Sequence, residues 1–243
     1  MSLPHRNPLE EHQSNELQIT PPGEIRKSLA ILFDERAIVE LRAFGAFGDV
    51  VSGFYEDHDA LARDTAILDR NSYQAYVTLN EIYPASSRRV LNTIVHKVDS
   101  TTADRDIIRR RWLPVDVDPV RPSGTSSTRQ EKWAAYLRTK EIRDYLRGHG
   151  WREFVAADSG NGFYLLYPME LPNDEKSRYI AKVALEGLAE LFDDEKVKVD
   201  TTVHNASRLV RLYGTMARKG EDTPKRPHRR SRLLKVSLDR EAT

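Results

Sequence analysis

Cysteine is absent from this chain. That excludes a disulfide-stapled scaffold, a cysteine nucleophile and a cysteine-ligated zinc site, and it suits the reducing cytoplasm. Long apolar runs are missing too. No stretch approaches the roughly 20 residues needed to cross a bilayer, and the opening MSLPHRNPLEEHQSN has no apolar signal core. The patterns Gly-x4-Gly-Lys-Ser/Thr and Gly-x-Gly-x-x-Gly do not occur, which disfavours the phosphate-loop and dinucleotide folds. No internal repeat is visible. A large net charge is also lacking, the formal value being +1. These absences describe a soluble, cytoplasmic protein with no membrane partner.

What is present is a chain of 243 residues, 39% hydrophobic and 31% charged, enough to bury one large core or two smaller ones. Residues 1–22 read as a flexible polar arm. Residues 23–33 form a helix with Ile25, Leu29 and Leu32 on one face. A strand over 37–44 and another ending at Tyr55 are separated by the turn glycines of GAFGDVVSG. Asp57 caps a helix over 59–68. A strand follows over 74–80, then a turn into a short helix at 83–86 and a polar stretch over 99–106. Ser127 or Thr128 with Glu131 has capping-box spacing and starts a helix that Gly148 ends, its buried face being Trp133, Leu137, Ile142 and Leu146. Strands over 151–157 and 162–167 join through DSGNG as a hairpin. Residues 174–192 are the strongest helix, with Ile180, Ala184, Leu188 and Leu191 in register. Short strands close the chain at 197–199, 209–213 and 233–237. The class is mixed α+β rather than a strict βαβ alternation.

The chemistry concentrates in WLPVDVDPVRP. Residues i and i+2 of a strand share a face, so Asp116 and Asp118 aim at one place. Two such charges call for a positive group between them, and a hard divalent cation, Mg²⁺ or Mn²⁺, suits carboxylate oxygens. A chance Asp-x-Asp at a strand end is the plainer alternative. Asp200, in KVKVDTT, is another acid ending an apolar strand, and equally a turn or cap residue. The turn Ser159-Gly160-Asn161-Gly162 can present backbone N–H groups to a phosphate, or be an ordinary hairpin turn. Between residues 217 and 235 eight Lys or Arg stand against two acids. Such a segment reaches a polyphosphate or nucleic-acid backbone, or is a solvated face.

The order YVTLN, RRRWLPVDVDPVRPSGTSST, DSGNGFYLLYPMELPND and VDTTVHNASRLVRLYGTMARKGEDTPKRPHRRSRL resembles the archaeo-eukaryotic primase superfamily. More narrowly, it is similar to the primase-polymerase domains of phage and plasmid replication proteins. The resemblance covers about residues 39–234. It implies a two-lobed α+β catalytic domain over 23–243, with an N-terminal lobe over about 23–108. An RRM-like antiparallel sheet would form the catalytic lobe over about 109–238. By the same resemblance, Asp116, Asp118 and Asp200 hold two Mg²⁺ or Mn²⁺ ions. Ser159, Gly160, Asn161, Gly162, Tyr164, Arg211, Lys219, His228 and Arg229 serve the incoming nucleotide, and Asn80, Arg110, Arg208, Arg226 and Arg230 serve the nucleic acid. Implied partners are a single-stranded or primed DNA template, a dNTP or NTP, and a helicase domain or subunit, which such domains often precede in a longer polypeptide.

The implied function is template-directed nucleotide addition to a 3′-hydroxyl, as a DNA primase, a DNA polymerase or both. One position departs from the family pattern. Tyr164 stands where a histidine is usual, and a phenol brings no charge at neutral pH. Charge-assisted hydrogen bonds are about twice as strong as neutral ones, so the expectation is a loss of about 1 to 2 kcal/mol in phosphate binding, either felt as weaker nucleotide affinity or offset by His228 or Arg229. A nucleotide- or DNA-binding module without catalysis, within a replication or defence assembly, is the rival reading. A metal-dependent nuclease is a third, against which the glycine turn and the basic segment argue.

Overall fold

In the computed structural model the described residues are 21–46, 48–84, 90–96 and 100–238. The expected arm lies outside them except for its last two residues, which open helix α1 (Pro21–Leu32). Of the turn and short helix expected at 83–86, residues 85 and 86 lie outside the described set.

Among the described residues, two five-stranded sheets organise the fold. The first is built around β1 (Val39–Phe44), which pairs antiparallel with β2 (Val50–Tyr55) on one side and β3 (Gln74–Thr78) on the other. The two-residue β4 (Val95–His96) extends it beyond β2. Helix α2 (His58–Arg70) is started by Asp57, whose Oδ1 accepts from the Asp59 and Ala60 N–H groups at 2.8 and 3.0 Å, the capping that the sequence predicted. Ile25, Leu29 and Leu32 of α1 are fully buried, as their spacing required.

The second sheet follows the order strand, helix, strand, strand, helix, strand. These are β5 (Arg109–Pro119), α3 (Arg129–Gly148), β6 (Phe154–Asp158), β7 (Phe163–Pro172), α4 (Glu175–Phe192) and β8 (Val197–Val199). They lie in the spatial order β6-β7-β5-β8, with antiparallel pairings throughout. This is the split β-α-β-β-α-β arrangement, the RRM-like sheet that the resemblance implied. β9 (Leu209–Arg211) then returns to the first sheet beside β3, so the chain crosses back over the expected division near residue 108. A two-stranded ribbon of β10 (Met216–Ala217) and β11 (Arg229–Arg230) precedes β12 (Arg232–Ser237), which adds to the second sheet beside β6.

Alternation along β5 sends its residues to two different cores. Leu113, Val115 and Val117 pack with Ala135, Ile142, Ala181 and Leu185 of the two helices. Trp112 points the other way, into a cluster with Leu29 and Leu32 of α1 and with Tyr164, Leu166 and Tyr213. The Trp112 indole N–H donates to the Leu32 carbonyl at 3.0 Å. The helices are rotated from the faces expected of them. α3 buries Lys132, Ala135, Thr139 and Ile142, whereas Leu137 is exposed and Trp133 stacks on Tyr136 at 5.2 Å. The phase follows from the Thr128–Glu131 capping box at its start and from Lys132, which is drawn inward by a buried acid. α4 turns Ser177, Ala181, Leu185 and Leu188 inward and leaves Ile180 and Leu191 exposed, because the small Ser177 and Ala181 let it approach the sheet closely. Gly148 is the last residue of α3; the reversal is made beyond it, at Gly150, with φ +92.

Candidate active site

The face of β5 that carries Trp112 also carries Asp116 and Asp118. Asp116 is 7% exposed, while the Asp118 side chain keeps 44% of its surface. In the β5–β7 register Asp116 stands directly opposite Tyr164, and the phenol O–H donates to Asp116 Oδ2 at 2.6 Å. On the other side, the β5–β8 register pairs Val117 with Val199, and the next residue, Asp200, donates its N–H to the Asp116 carbonyl at 2.9 Å. Sheet pairing therefore sets Asp200 across from Asp116. Asp200 is at the same time a cap: its Oδ1 accepts from the Thr202 N–H and hydroxyl at 2.8 and 2.7 Å, opening a short 3₁₀ turn. Its Oδ2 faces Arg208 Nη2 at 3.3 Å.

Burial, the Asp118 charge and, more weakly, the Asp200 charge push the Asp116 carboxyl well above the usual carboxylate range, against the pull of Tyr164 and Arg208. Burial, together with Asp116, holds the Tyr164 phenol far above its ordinary value, so it stays a donor. The three acids thus form a locus short of positive charge. Its donor set is entirely carboxylate oxygen, the kind a hard divalent cation takes. As the side chains stand, Asp116 Oδ2 is held by Tyr164, Asp118 lies 3.5 Å from Arg121, and Asp200 is engaged by Thr202 and Arg208. Among the described residues, accordingly, no three acids or histidines are drawn into a closed metal cage. The carboxylate oxygens suit a hard dication in chemistry; as the side chains stand, among the described residues they are not gathered round one point.

The turn 159–162 is adjacent to these acids. A Cβ at Gly162 would lie 2.3 Å from Asp118 Oδ1 and 2.6 Å from the Val117 carbonyl, so glycine is what allows β5 and its acid to pack there. Gly160 has φ +96, and a Cβ on it would strike Ala217 at 2.4 Å. The remaining groups of the turn serve the scaffold. Ser159 Oγ accepts from the Gly162 N–H at 3.0 Å, and Asn161 Oδ1 accepts from the Ser127 N–H at 2.9 Å.

The basic residues divide into two sets. Arg208 stands beside the acids, and Lys219 is exposed. The others are bound to protein groups. Arg226 holds Glu131 in a two-pronged pair at 2.7 and 2.8 Å, and Arg229 donates to the Ser127 carbonyl at 2.7 Å. Arg230 donates to the Gly214 carbonyl and lies 3.4 Å from Asp69. His228 meets the Gly220 carbonyl at 2.9 Å. Arg211 donates to Tyr76 Oη and Gln74 Oε1 at 2.7 and 3.0 Å with its guanidinium 4.6 Å from the Tyr76 ring centre. Arg110 is buried and donates to the His204 carbonyl at 2.6 Å. Asn80 uses its amide N–H on the Ala206 carbonyl and its oxygen on the Arg111 N–H, both at 2.8 Å.

Two residues near the turn were not anticipated. Lys132 Nζ donates to both oxygens of Asp158 at 2.6 and 2.7 Å and to the Gly160 carbonyl at 3.0 Å, fully enclosed. Burial pushes the Lys132 amine below its ordinary value, and Asp158 offsets only part of that. Asp158 was visible as the first letter of DSGNG; nothing local marks Lys132, since a lysine on a helix is ordinarily a solvated residue.

No protein-family model and no curated protein matches the chain. Among solved structures, the crystal structure of primase RepB′ is similar with a TM-score of 0.48 and 11% identity, covering 89% of this chain and 57% of that one. The crystal structure of the catalytic domain of primase RepB′ in complex with initiator DNA is similar with a TM-score of 0.47 and 12% identity, covering 89% and 85%. The chain thus spans 57% of the length of the first of these.

Proposed function

We propose that this chain is a template-directed nucleotidyltransferase of the primase-polymerase type, acting at Asp116, Asp118 and Asp200. The observation that carries the reading is the apposition of Asp200 to Asp116 by the β5–β8 pairing, beside a second acid on the same face of β5. The order of the sequence motifs supports it independently. Divalent ions held by the three carboxylates, Mg²⁺ or Mn²⁺, would activate a 3′-hydroxyl and neutralise charge developing on the triphosphate. The chain's own residues prepare that place. Tyr164 fixes the orientation of Asp116 by donating to Oδ2. Arg208 supplies a cation at the edge of the acids, where it can answer phosphate charge. Gly162 lets Asp118 sit against the turn. Template DNA, dNTP or NTP, and a helicase companion belong to this proposal.

The test is extension of primed and unprimed single-stranded DNA with labelled dNTPs or NTPs in Mg²⁺ and in Mn²⁺. Extension by the wild type that disappears in Asp116→Asn/Asp118→Asn, with DNA binding retained, is the expected result; extension that survives the double substitution would sink the assignment. One observation favours the rival, a binding module without catalysis. Tyr164 and Arg208 already satisfy oxygens of Asp116 and Asp200, which lowers the need for ions there. On that reading the wild type binds DNA or nucleotide and extends nothing under any metal.

A further inference from the structure

On the helix side of the second sheet, α3 and the strands β6, β7 and β12 enclose a cavity of about 200 Å³, whose lining includes Tyr164 on β7. Its lining is aromatic below and cationic above. Tyr136 and Phe163 meet with ring centres 5.7 Å apart, and Phe154 completes the apolar part. Lys140, Arg143, Arg232 and Lys235 stand round it. Lys140 Nζ lies 5.9 Å from the Tyr136 ring centre, and Lys235 Nζ lies 5.9 Å from that of Phe154. The acid in the lining, Asp158, is already held by Lys132. Among the described residues no carboxylate pairs with Lys140 or Lys235. Arg143 pairs with Asp144 at 2.7 Å and Arg232 lies 4.0 Å from Asp158, so the uncompensated positive charge over the apolar floor is that of Lys140 and Lys235.

Size decides how a ligand would divide itself. A drug-sized molecule needs about 300 Å³ or more, so this cavity takes a planar ring and leaves the rest of the ligand outside. A ring in contact with aromatic side chains, joined to an anion that meets lysines at the mouth, describes a nucleotide. We propose that this cavity binds a free nucleoside phosphate, base inward and phosphates at Lys140 and Lys235, as a second site distinct from the three acids. Asp116 lies on the opposite face of the sheet, so the proposal does not depend on the nucleotidyltransferase reading. The site needs no divalent ion, because its charge comes from side chains.

The test is equilibrium binding of a fluorescent ATP analogue in EDTA, so that no ion-dependent site is filled. Four proteins are compared: the wild type, Lys140→Glu/Lys235→Glu, Ala156→Leu, and Asp116→Asn/Asp118→Asn. Ala156 lies on the cavity wall between Phe154 and Asp158, and a leucine there fills the space. The expected outcome is saturable binding in the wild type and in the acid variant, weakened about tenfold or more by the charge reversal and by the filling. The charge reversal changes exposed side chains and keeps the test decisive if Ala156→Leu does not fold. Absent wild-type binding, binding indifferent to both cavity variants, or equal competition by inorganic triphosphate, which has no ring, would each overturn the proposal. So would a single-stranded oligonucleotide that binds through the same residues while ATP does not.

Discussion

Replacing Tyr164 by Phe removes one oxygen and leaves the ring, so it isolates the donor to Asp116. That bond is 2.6 Å long and lies in the interior. A hydrogen bond to an ionised group contributes about 1.5–3 kcal/mol and a neutral one about 1 kcal/mol. The pair should therefore couple by about 1 kcal/mol when Asp116 is protonated and by up to about 3 kcal/mol when it is ionised. Urea unfolding followed by tryptophan fluorescence, on wild type, Tyr164→Phe, Asp116→Ala and the double variant, gives that coupling directly. Repeating the cycle at a low and a high pH, on either side of the Asp116 titration, follows the change of charge. The sign is fixed by the raised carboxyl. The folded state holds the Asp116 proton more tightly than the unfolded chain does, so wild-type stability falls as pH rises above the ordinary carboxylate value of 3.8 towards the folded one. Asp116→Asn should not share that fall. Tyr164→Phe should also weaken Mn²⁺ binding, read by electron paramagnetic resonance, by about 10- to 100-fold, the usual effect of losing a group that orients a ligand. A coupling below about 0.5 kcal/mol at both pH values would refute the claim that the phenol positions the acid.

Three further outcomes follow from the same contacts. Gly162→Ala places a Cβ 2.3 Å from Asp118 Oδ1 and should cost about 1–3 kcal/mol together with primer extension, whereas Gly148→Ala, with nothing within 4 Å, should fold as well as wild type in the same urea titration; equal behaviour of the two would remove the argument from glycine. Lys132→Met strands a buried carboxylate and should destabilise the fold by about 3–5 kcal/mol, while Lys132→Met/Asp158→Leu should recover much of that; thermal unfolding distinguishes them, and a mild single-variant effect contradicts the buried pair. Burial raises the Glu40 pKa, but hydrogen bonds from Arg42, Ser52 and the Thr102 N–H outweigh it and leave it below the ordinary 4.5. Its stabilisation is thus present above about pH 4.5 and lost as pH falls, so between about pH 6 and pH 3 the wild type should lose stability that Glu40→Gln does not; parallel curves would count against it.

Much of the scaffold was legible locally. The face of α1, the Asp57 cap, the Thr128–Glu131 box and the hairpin at 158–163 rest on interactions spanning a few residues, and sequence patterns record such interactions well. The helix faces of α3 and α4 were less so. Large apolar letters at helical spacing suggested Trp133, Leu137, Ile180 and Leu191 as core, yet the inward faces use Ala135, Ser177 and Ala181, since small residues let a helix lie close to a sheet. The basic segment is ambiguous in a related way. Arg226, Arg229 and Arg230 read as anion ligands, but a guanidinium satisfies loop carbonyls and a buried carboxylate equally well, and composition does not say which.

By itself the sequence determined the α+β class and the one-face placement of Asp116 and Asp118, because strand alternation leaves no other arrangement. It also marked residues 158–162 as a glycine-bearing hairpin turn. Tertiary structure was needed to set Asp200 across from Asp116 and to direct the Tyr164 hydroxyl to that acid. It alone placed β9 in the first sheet and paired Lys132 with Asp158 inside the protein. Each of those depends on register and burial between segments far apart in the chain, where a charged or phenolic letter reads the same whether it meets water or a partner.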